Sequence, residues 1–198
     1  MKLEFKRDKE FQEFKFELKK RVSRSERPKI EVGNLIKSAV MLLIMNKDNK
    51  AHVLLTKRSM NVETHKGHMS FPGGAFDNVD RSLLETALRE TDEEVGIKPA
   101  DIEIIGELGD FLTVSGFHVT AFVGAINYPV KYKVNIDEIA ECIEVPLSLF
   151  VNREYDRIEK MNYLGTDLDV YYYYYKKFEI WGLTARILTE FAENMLLD

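Results

Sequence analysis

The chain has 198 residues, 45% hydrophobic and 31% charged, with a formal net charge of −5. That size suits one domain, or one domain with an appended arm, and the apolar share fills a core, which excludes wholesale disorder. The negative balance disfavours a general nucleic-acid-binding surface, and the single cysteine, Cys142, excludes a disulfide framework and a thiolate-based zinc site.

No stretch approaches the ~20 uninterrupted apolar residues of a membrane span. The charged start, Met1 to Asp8, has no apolar signal-peptide run behind it. The expectation is a cytoplasmic protein without membrane or nucleic-acid partners.

Residues 1–30 are rich in Lys, Arg and Glu, and Phe11, Phe14 and Leu18 recur at helix spacing. They read as a short amphipathic N-terminal helical arm ahead of a main domain over residues 31–198. Two roles are open to the arm: packing on its own domain, or a homodimer contact. Ala39–Met45 is a continuous apolar run bounded by Asn46-Lys47-Asp48-Asn49, which reads as a buried strand and a turn. Ala51–Thr56 is its hairpin partner. A polar stretch from Lys57 to Ser70 leads to the turn signal Phe71-Pro72-Gly73-Gly74.

Residues 82–95 form the clearest helix, with Leu84, Leu88, Thr91 and Val95 on one stripe and Gly96 at the C-cap. Strands are expected at Ile102–Leu108, His118–Ile126 and Val170–Phe178, and a closing helix at Thr184–Leu196. On the last strand, alternate tyrosines of the run Tyr171 to Tyr175 face opposite sides. Without a regular βαβ rhythm, the fold class is α+β.

Chemistry concentrates in Arg89-Glu90-Thr91-Asp92-Glu93-Glu94-Val95-Gly96-Ile97. Glu90 and Glu94 lie nearly one above the other, Glu93 on the adjoining edge, and all three flank the apolar stripe. Like charges at i and i+4 repel on a bare helix, and a hard cation reverses that sign. Carboxylates without His or Cys beside them suit Mg²⁺ or Mn²⁺ rather than zinc. Arg89 can bridge Glu85 and Glu93. Gly73-Gly74 suits close backbone approach, and Lys57, Arg58, His65 and Lys66 supply cations for a polyanion.

With these pieces in place, Gly74 to Ile97 resembles a Nudix box: Gly, five residues, Glu, seven residues, then Arg-Glu-U-x-Glu-Glu-x-Gly-U with U apolar. Arg89 to Ile97 matches, with Thr91 in the first apolar place. The first half departs, with Arg81 where the box has Glu and a glycine spacing one residue longer. The coenzyme A diphosphatase branch of that family carries the same longer spacing. Further pieces resemble that branch: Leu54-Leu55-Thr56-Lys57-Arg58-Ser59, His65-Lys66-Gly67, Ser70 to Asp77, Asp80, Asn135-Ile136-Asp137-Glu138, Val145-Pro146-Leu147 and Ile180 to Leu188. Two departures bear on substrate. Val62-Glu63 stands where the branch has Leu-Arg, and His68 where it favours Glu or Gln.

The resemblance implies a Nudix fold, a mixed β-sheet sandwiched between helices. It implies Mg²⁺- or Mn²⁺-dependent hydrolysis of a small nucleotide substrate, coenzyme A or a thioester, to adenosine 3′,5′-bisphosphate and 4′-phosphopantetheine. Glu90 and Glu94 would hold the metal, with Glu93 and a Gly73 or Gly74 carbonyl as further ligands. Glu93 would orient or deprotonate the attacking water, with Glu138 or Glu141 as the rival base. Arg89 would orient carboxylates, and Lys57, Arg58, His65, Lys66 and Gly73 would meet the substrate. A Nudix hydrolase for ADP-ribose, NADH or another dinucleotide is the alternative. A non-catalytic nucleotide-binding module would be marked by a lost carboxylate, and all three are present. His118 and Cys142 read as structural. Trp181 reads as a packing residue or the flank of a pocket, and Arg186 as a phosphate ligand or an internal ion pair.

Overall fold

The helix-spaced phenylalanines close into α1, Asp8–Arg24, with Asp8 and Glu10 in its first turn and Arg21 and Arg24 in its last, charges that complement the helix dipole. The computed structural model describes residues 1–25, 33, 35–61, 65–163 and 166–197. Phe11, Phe14, Leu18 and Val22 of α1 are buried in the same cluster as the central strands. The rings of Phe5, Phe11 and Phe14 lie 5.2–6.0 Å apart. The apolar stripe of the arm is thus filled from within its own chain.

Next come β1, Ile36–Lys47, and β2, Lys50–Arg58, paired antiparallel. Asp48 and Asn49 between them have φ of 49° and 63°, the left-handed pair that a tight hairpin turn demands. The strands β3, Met69–Ser70, and β4, Gly73–Ala75, lead to α2, Leu83–Val95. Then follow β5, Ile102–Leu112; β6, Phe117–Ile126; β7, Ile139–Pro146; and the short helix α3, Ser148–Val151. The chain continues through β8, Tyr155–Tyr163, β9, Thr166–Tyr175, and β10, Phe178–Ile180, and closes with α4, Gly182–Phe191, which widens into a π turn over Ala192–Leu196.

Seven strands form one mixed sheet, with β6 parallel to β1 and the other pairings antiparallel; β8, β9 and β10 form a second sheet. Along β1, Leu42 and Ile44 enter one apolar cluster while Ala39, Met41, Leu43 and Met45 enter the other. A strand covered on both faces reads as a continuous apolar run, which is why this segment lacks alternation. Ala87 and Val95 of α2 cover one face; α1, α4 and part of the smaller sheet cover the other. This is the α+β sandwich that the resemblance implies. On β5, a Cβ at Gly106 would come within 2.7 Å of the Val22 Cγ1, so glycine lets α1 lie close to the sheet.

Several elements differ from expectation. β7 and β8 were not foreseen, because charged residues recur through Ile139–Pro146 and Tyr155–Tyr163 and blur the period of two. The expected strand Val170–Phe178 is broken at Lys176, which has φ of 56°, so it divides into β9 and β10. The polar stretch Lys57–Ser70 includes the end of β2 and all of β3. The closing helix starts two residues early, at Gly182. Within the tyrosine run, Tyr173 is fully buried and its hydroxyl lies 2.9 Å from Thr189 Oγ1, while Tyr174 on the other face is exposed.

If α1 is part of the core, Leu18→Ala should lower stability by about 2–5 kcal/mol. Urea unfolding should remain a single transition at a lower midpoint. A second transition with the main midpoint unmoved would show instead that the helix is an independent arm.

Candidate active site

The central helix of the site is capped at both ends. Ser82 Oγ accepts the Glu85 N–H at 3.2 Å, and the Glu85 carboxylate accepts the Arg81 N–H at 2.8 Å. Gly96 ends α2 in the left-handed region, and its N–H donates to Asp92 O at 2.9 Å. A Cβ there would lie 2.6 Å from that of Lys133 in the loop crossing the helix end.

The packed face of α2 is Ala87, Thr91, Glu94 and Val95, with Leu84 and Leu88 half-buried at its margin. This corrects the expected stripe. Close approach to β1 and β4 selects the small residues Ala87 and Thr91, and the rotation carries Glu94 onto the packed face rather than beside it. Thr91, standing where the motif has an apolar residue, donates its hydroxyl to Ala87 O at 2.6 Å and so buries without an open polar group.

The strand β4 presses against this face. A Cβ on Gly74 would lie 2.5 Å from Glu90 Cδ, and one on Gly73 would overlap the Ala39 carbonyl. The Gly73 N–H donates to Glu94 Oε2 at 3.3 Å. Burial is the main force on the charges. It pushes the Glu94 carboxyl, only 1% exposed, up to about 8, against the opposing pull of the Gly73 N–H and Arg58, with Glu90 and Glu138 adding to the rise. Burial also raises Glu90, opposed by its contact with Arg89. Glu93 stays about half exposed, with 55% of its side chain open to water.

Arg89 arranges the acidic residues around it. Its Nε and Nη2 donate to the two oxygens of Asp80, each at 2.9 Å, and Nη1 donates to Glu90 at 2.8 Å and Glu93 at 3.0 Å. The expected bridge to Glu93 is present. The one to Glu85 is not, because Glu85 turns back to cap the helix start. Asp80 takes its place, and no role was read for Asp80 from the sequence. It also accepts from Thr86 Oγ1 at 2.9 Å and the Asp77 N–H at 3.0 Å. Arg89 holds its carboxyl well below the usual range.

The other candidates divide. The loop before β7 docks on the end of α2 through Lys133 N–H to Val95 O and Asn135 N–H to Glu94 O, both 2.9 Å. It brings Glu138 near enough to raise both Glu90 and Glu94, with Asn135 Nδ2 donating to Glu138 Oε1 at 3.1 Å. Glu141 pairs instead with Lys177, at 3.6 Å. Arg58 reaches Glu94 Oε1 at 3.9 Å, and its buried Nε has no hydrogen-bond partner among the described residues. Its neighbour Lys57 points to the opposite sheet face, 5.8 Å from the centre of the Phe178 ring. His65 and Lys66 are exposed on the turn beyond, and Glu63 lies outside the described residues. Cys142 is raised to about 12 by burial, as befits an inert core thiol. His118 is buried beside Asp110, and Arg186 donates to Glu190 at 2.8 Å, an ion pair within α4.

The chemistry of this donor set fits a hard divalent cation: carboxylate and backbone oxygens, with Gly74 cradling Glu90. Among the described residues no three acidic, His or Cys side chains already converge on one point. Glu90 leans on Arg89, and Glu94 on Gly73 and Arg58. Two raised carboxylates side by side, Glu94 buried and Glu90 half-buried, are the groups that a cation would offset.

The clamp on Arg89 is testable. Asp80→Asn should destabilise the fold by about 1–3 kcal/mol at pH 7. Because the folded state lowers the Asp80 pKa, that stabilisation is present above the unfolded value near 3.9 and declines as pH falls below it. The gap between parent and variant urea midpoints should therefore begin to narrow below about pH 4 and go on narrowing as pH falls toward the lowered folded-state pKa; a gap that does not narrow over that range would refute the ion pair.

The NUDIX domain family profile matches residues 35–147. The chain is 40% identical over 147 residues to a Pectobacterium atrosepticum protein described as uncharacterized Nudix hydrolase NudL, covering 71% of this chain and 73% of that one. A protein of the same description from an Enterobacter species is 38% identical, over 84% of this chain and 87% of its own. In fold the chain is similar to the crystal structure of a MutT/nudix family protein from Enterococcus faecalis, with a TM-score of 0.51 at 16% identity, over 94% of this chain and 73% of that one. No helix among the described residues is long and apolar enough to cross a membrane. The chain belongs to the Nudix family, hydrolases of nucleoside diphosphate derivatives.

Proposed function

We propose that this chain hydrolyses the diphosphate bond of coenzyme A or its thioesters, giving adenosine 3′,5′-bisphosphate and 4′-phosphopantetheine, with Mg²⁺ or Mn²⁺ held by Glu90 and Glu94. The observation that carries the hydrolytic reading is the buried Glu94 and half-buried Glu90 carboxylates set against Gly73-Gly74, both raised by burial. The substrate rests on the resemblance of Leu54 to Asp77 and of Ile180 to Leu188 to the coenzyme A branch.

When bound, the cation neutralises the diphosphate and acidifies a water. Glu93 and a Gly74 carbonyl are its further ligands in this reading. Glu93, exposed on the cleft side and steered by Arg89, orients or deprotonates the attacking water; Glu138 is the second candidate for that proton. Arg89 is a positioning residue, fixed by Asp80 so that Glu90 and Glu93 keep their places. Arg58, beside Glu94 and with an Nε that has no partner among the described residues, meets the diphosphate, and Gly73 lets the substrate approach the backbone. His65 and Lys66 give positive charge at the mouth, and Lys57 acts at most from the far side of β2. The catalytic unit is residues 31–198, and of the arm assigned to residues 1–30 the helix Asp8–Arg24 packs on it. A cytoplasmic enzyme with a small-molecule substrate fits this reading. A homodimer would need a surface other than the α1 stripe, which is filled internally.

The second reading, hydrolysis of ADP-ribose, NADH or another dinucleotide, is favoured by Glu63 standing where the branch has a cation. A metal-dependent screen over coenzyme A, its thioesters, ADP-ribose and NADH, with product masses, separates the two. Cleavage of coenzyme A to the two named products is expected. Turnover of the dinucleotides alone would move the substrate to the second reading. Glu90→Gln or Glu94→Gln should lower turnover by about 100-fold or more; intact turnover in both would remove the metal assignment and favour other ligands.

A further inference from the structure

A run of rings leads away from the carboxylate face. Arg58, 3.9 Å from Glu94, donates its backbone N–H to the His68 carbonyl at 3.0 Å. The His68 ring lies 5.5 Å from that of His65 and 5.0 Å from that of Trp181. Trp181 stacks in turn on Tyr172, with centroids 5.8 Å apart and planes 7° from parallel. The Arg157 guanidinium closes the far end, 3.7 Å from the Tyr172 ring centre.

The run is held from behind. Trp181 directly precedes α4, whose Thr184 hydroxyl donates to Met69 O at 2.9 Å and ties the helix start to β3. The Tyr172 hydroxyl donates to Glu159 at 3.1 Å, and Arg157 donates to Glu159 at 2.7 Å and to Glu179 at 3.2 Å. Despite this support Trp181 remains 36% exposed. A large ring is thus fixed in orientation by its neighbours, left partly open to solvent, and joined through His68 to the strand end that carries Arg58, 3.9 Å from Glu94.

We propose that Trp181, backed by Tyr172 and His68, is the surface on which the purine base of the nucleotide substrate stacks. The proposal rests on the diphosphatase reading and extends it to the group that reads the base. Every member of the run carries a polar edge: two imidazoles, an indole N–H, a phenol and a guanidinium. An acyl or pantetheine chain calls for an enclosed aliphatic groove, whereas a flat heteroaromatic base is matched by rigid aromatic faces with polar rims. Arg58, between the carboxylates and the rings, is placed for the phosphates that join base to scissile bond. Arg157 on the outer face of Tyr172 fixes that ring parallel to Trp181.

Trp181 is the only tryptophan in the chain, so indole-selective fluorescence reports on this surface. The full-length protein is titrated with ADP, and with ribose 5-phosphate and inorganic pyrophosphate as probes that lack a base. Saturable quenching by ADP and none by the other two is expected. In parallel, Trp181→Ala should raise KM for whichever nucleotide the screen shows to be turned over by roughly tenfold, with kcat little changed, and Trp181→Phe should restore most of the loss. Quenching absent at ADP concentrations that inhibit turnover, equal quenching by the baseless probes, or an unchanged KM in Trp181→Ala would overturn the proposal. If no diphosphate is hydrolysed, the catalytic reading fails by itself. The ADP titration then decides the base surface alone, absence of quenching up to ADP saturation counting against it.

Discussion

Glu94 is forced out of water and Glu90, one helical turn before it, is partly so, and the surrounding structure is arranged around that cost. Glu90 lies against Gly74 and Glu94 lies under Gly73, on a face of α2 pressed onto β1 and β4. A Cβ on Gly73 would overlap the Ala39 carbonyl and Val40 of β1, and one on Gly74 would displace the Glu90 carboxyl. Ala87 and Thr91 are small on the helix side for the same reason, and Thr91 returns its hydroxyl to its own helix. Like charges so placed have no stabilising role in the isolated fold, and a ligand of opposite sign would offset their cost.

Counter-charge from the protein is supplied only in part. Arg89 divides its donors among Asp80, Glu90 and Glu93, and Arg58 stands 3.9 Å from Glu94. The Asp80 arrangement also gives physical content to the unusual spacing between Gly74 and Arg89. The longer loop makes room for Asp80 to accept the Asp77 N–H and the Thr86 hydroxyl while gripping Arg89. Arg81, standing where the motif has Glu, contributes its backbone N–H to the helix cap. On the far side, the loop through Asn135 fastens to the last turn of α2 and delivers Glu138 to the acidic face. Catalytic candidates from three segments thus meet because each is tied to one helix.

Much of this was legible in the sequence where the determinants are local. The C-terminal end of α2 was readable from Gly96, the β1–β2 turn from Asn46-Lys47-Asp48-Asn49, and the core strand β1 from its unbroken apolar run. The charge cluster and its glycine pair were readable as neighbours in the chain. Determinants that act across the fold were not. The burial of Glu94 follows from how closely α2 approaches β4, which a hydrophobic stripe cannot express. The Asp80–Arg89 pair depends on the path of a loop. Lys57 and Arg58 are adjacent and equally basic, yet strand geometry sends them to opposite faces. β7 and β8 carry too many charges to show a period of two. The ring run joins residue 65 to residue 181 through contacts between separate elements.

If the glycine cradle and the Glu90 and Glu94 carboxylates together hold a divalent cation, its binding must depend on the close fit of Gly74 against Glu90. Mn²⁺ binding followed by electron paramagnetic resonance, comparing the parent with Gly74→Ala, tests it without reference to any substrate. The added methyl must displace the Glu90 carboxyl, whose atoms lie 2.5–2.7 Å from its position. The account predicts tight binding by the parent and an affinity lowered about tenfold or more in the variant, with the fold intact by circular dichroism. Equal affinity in the two proteins would contradict it.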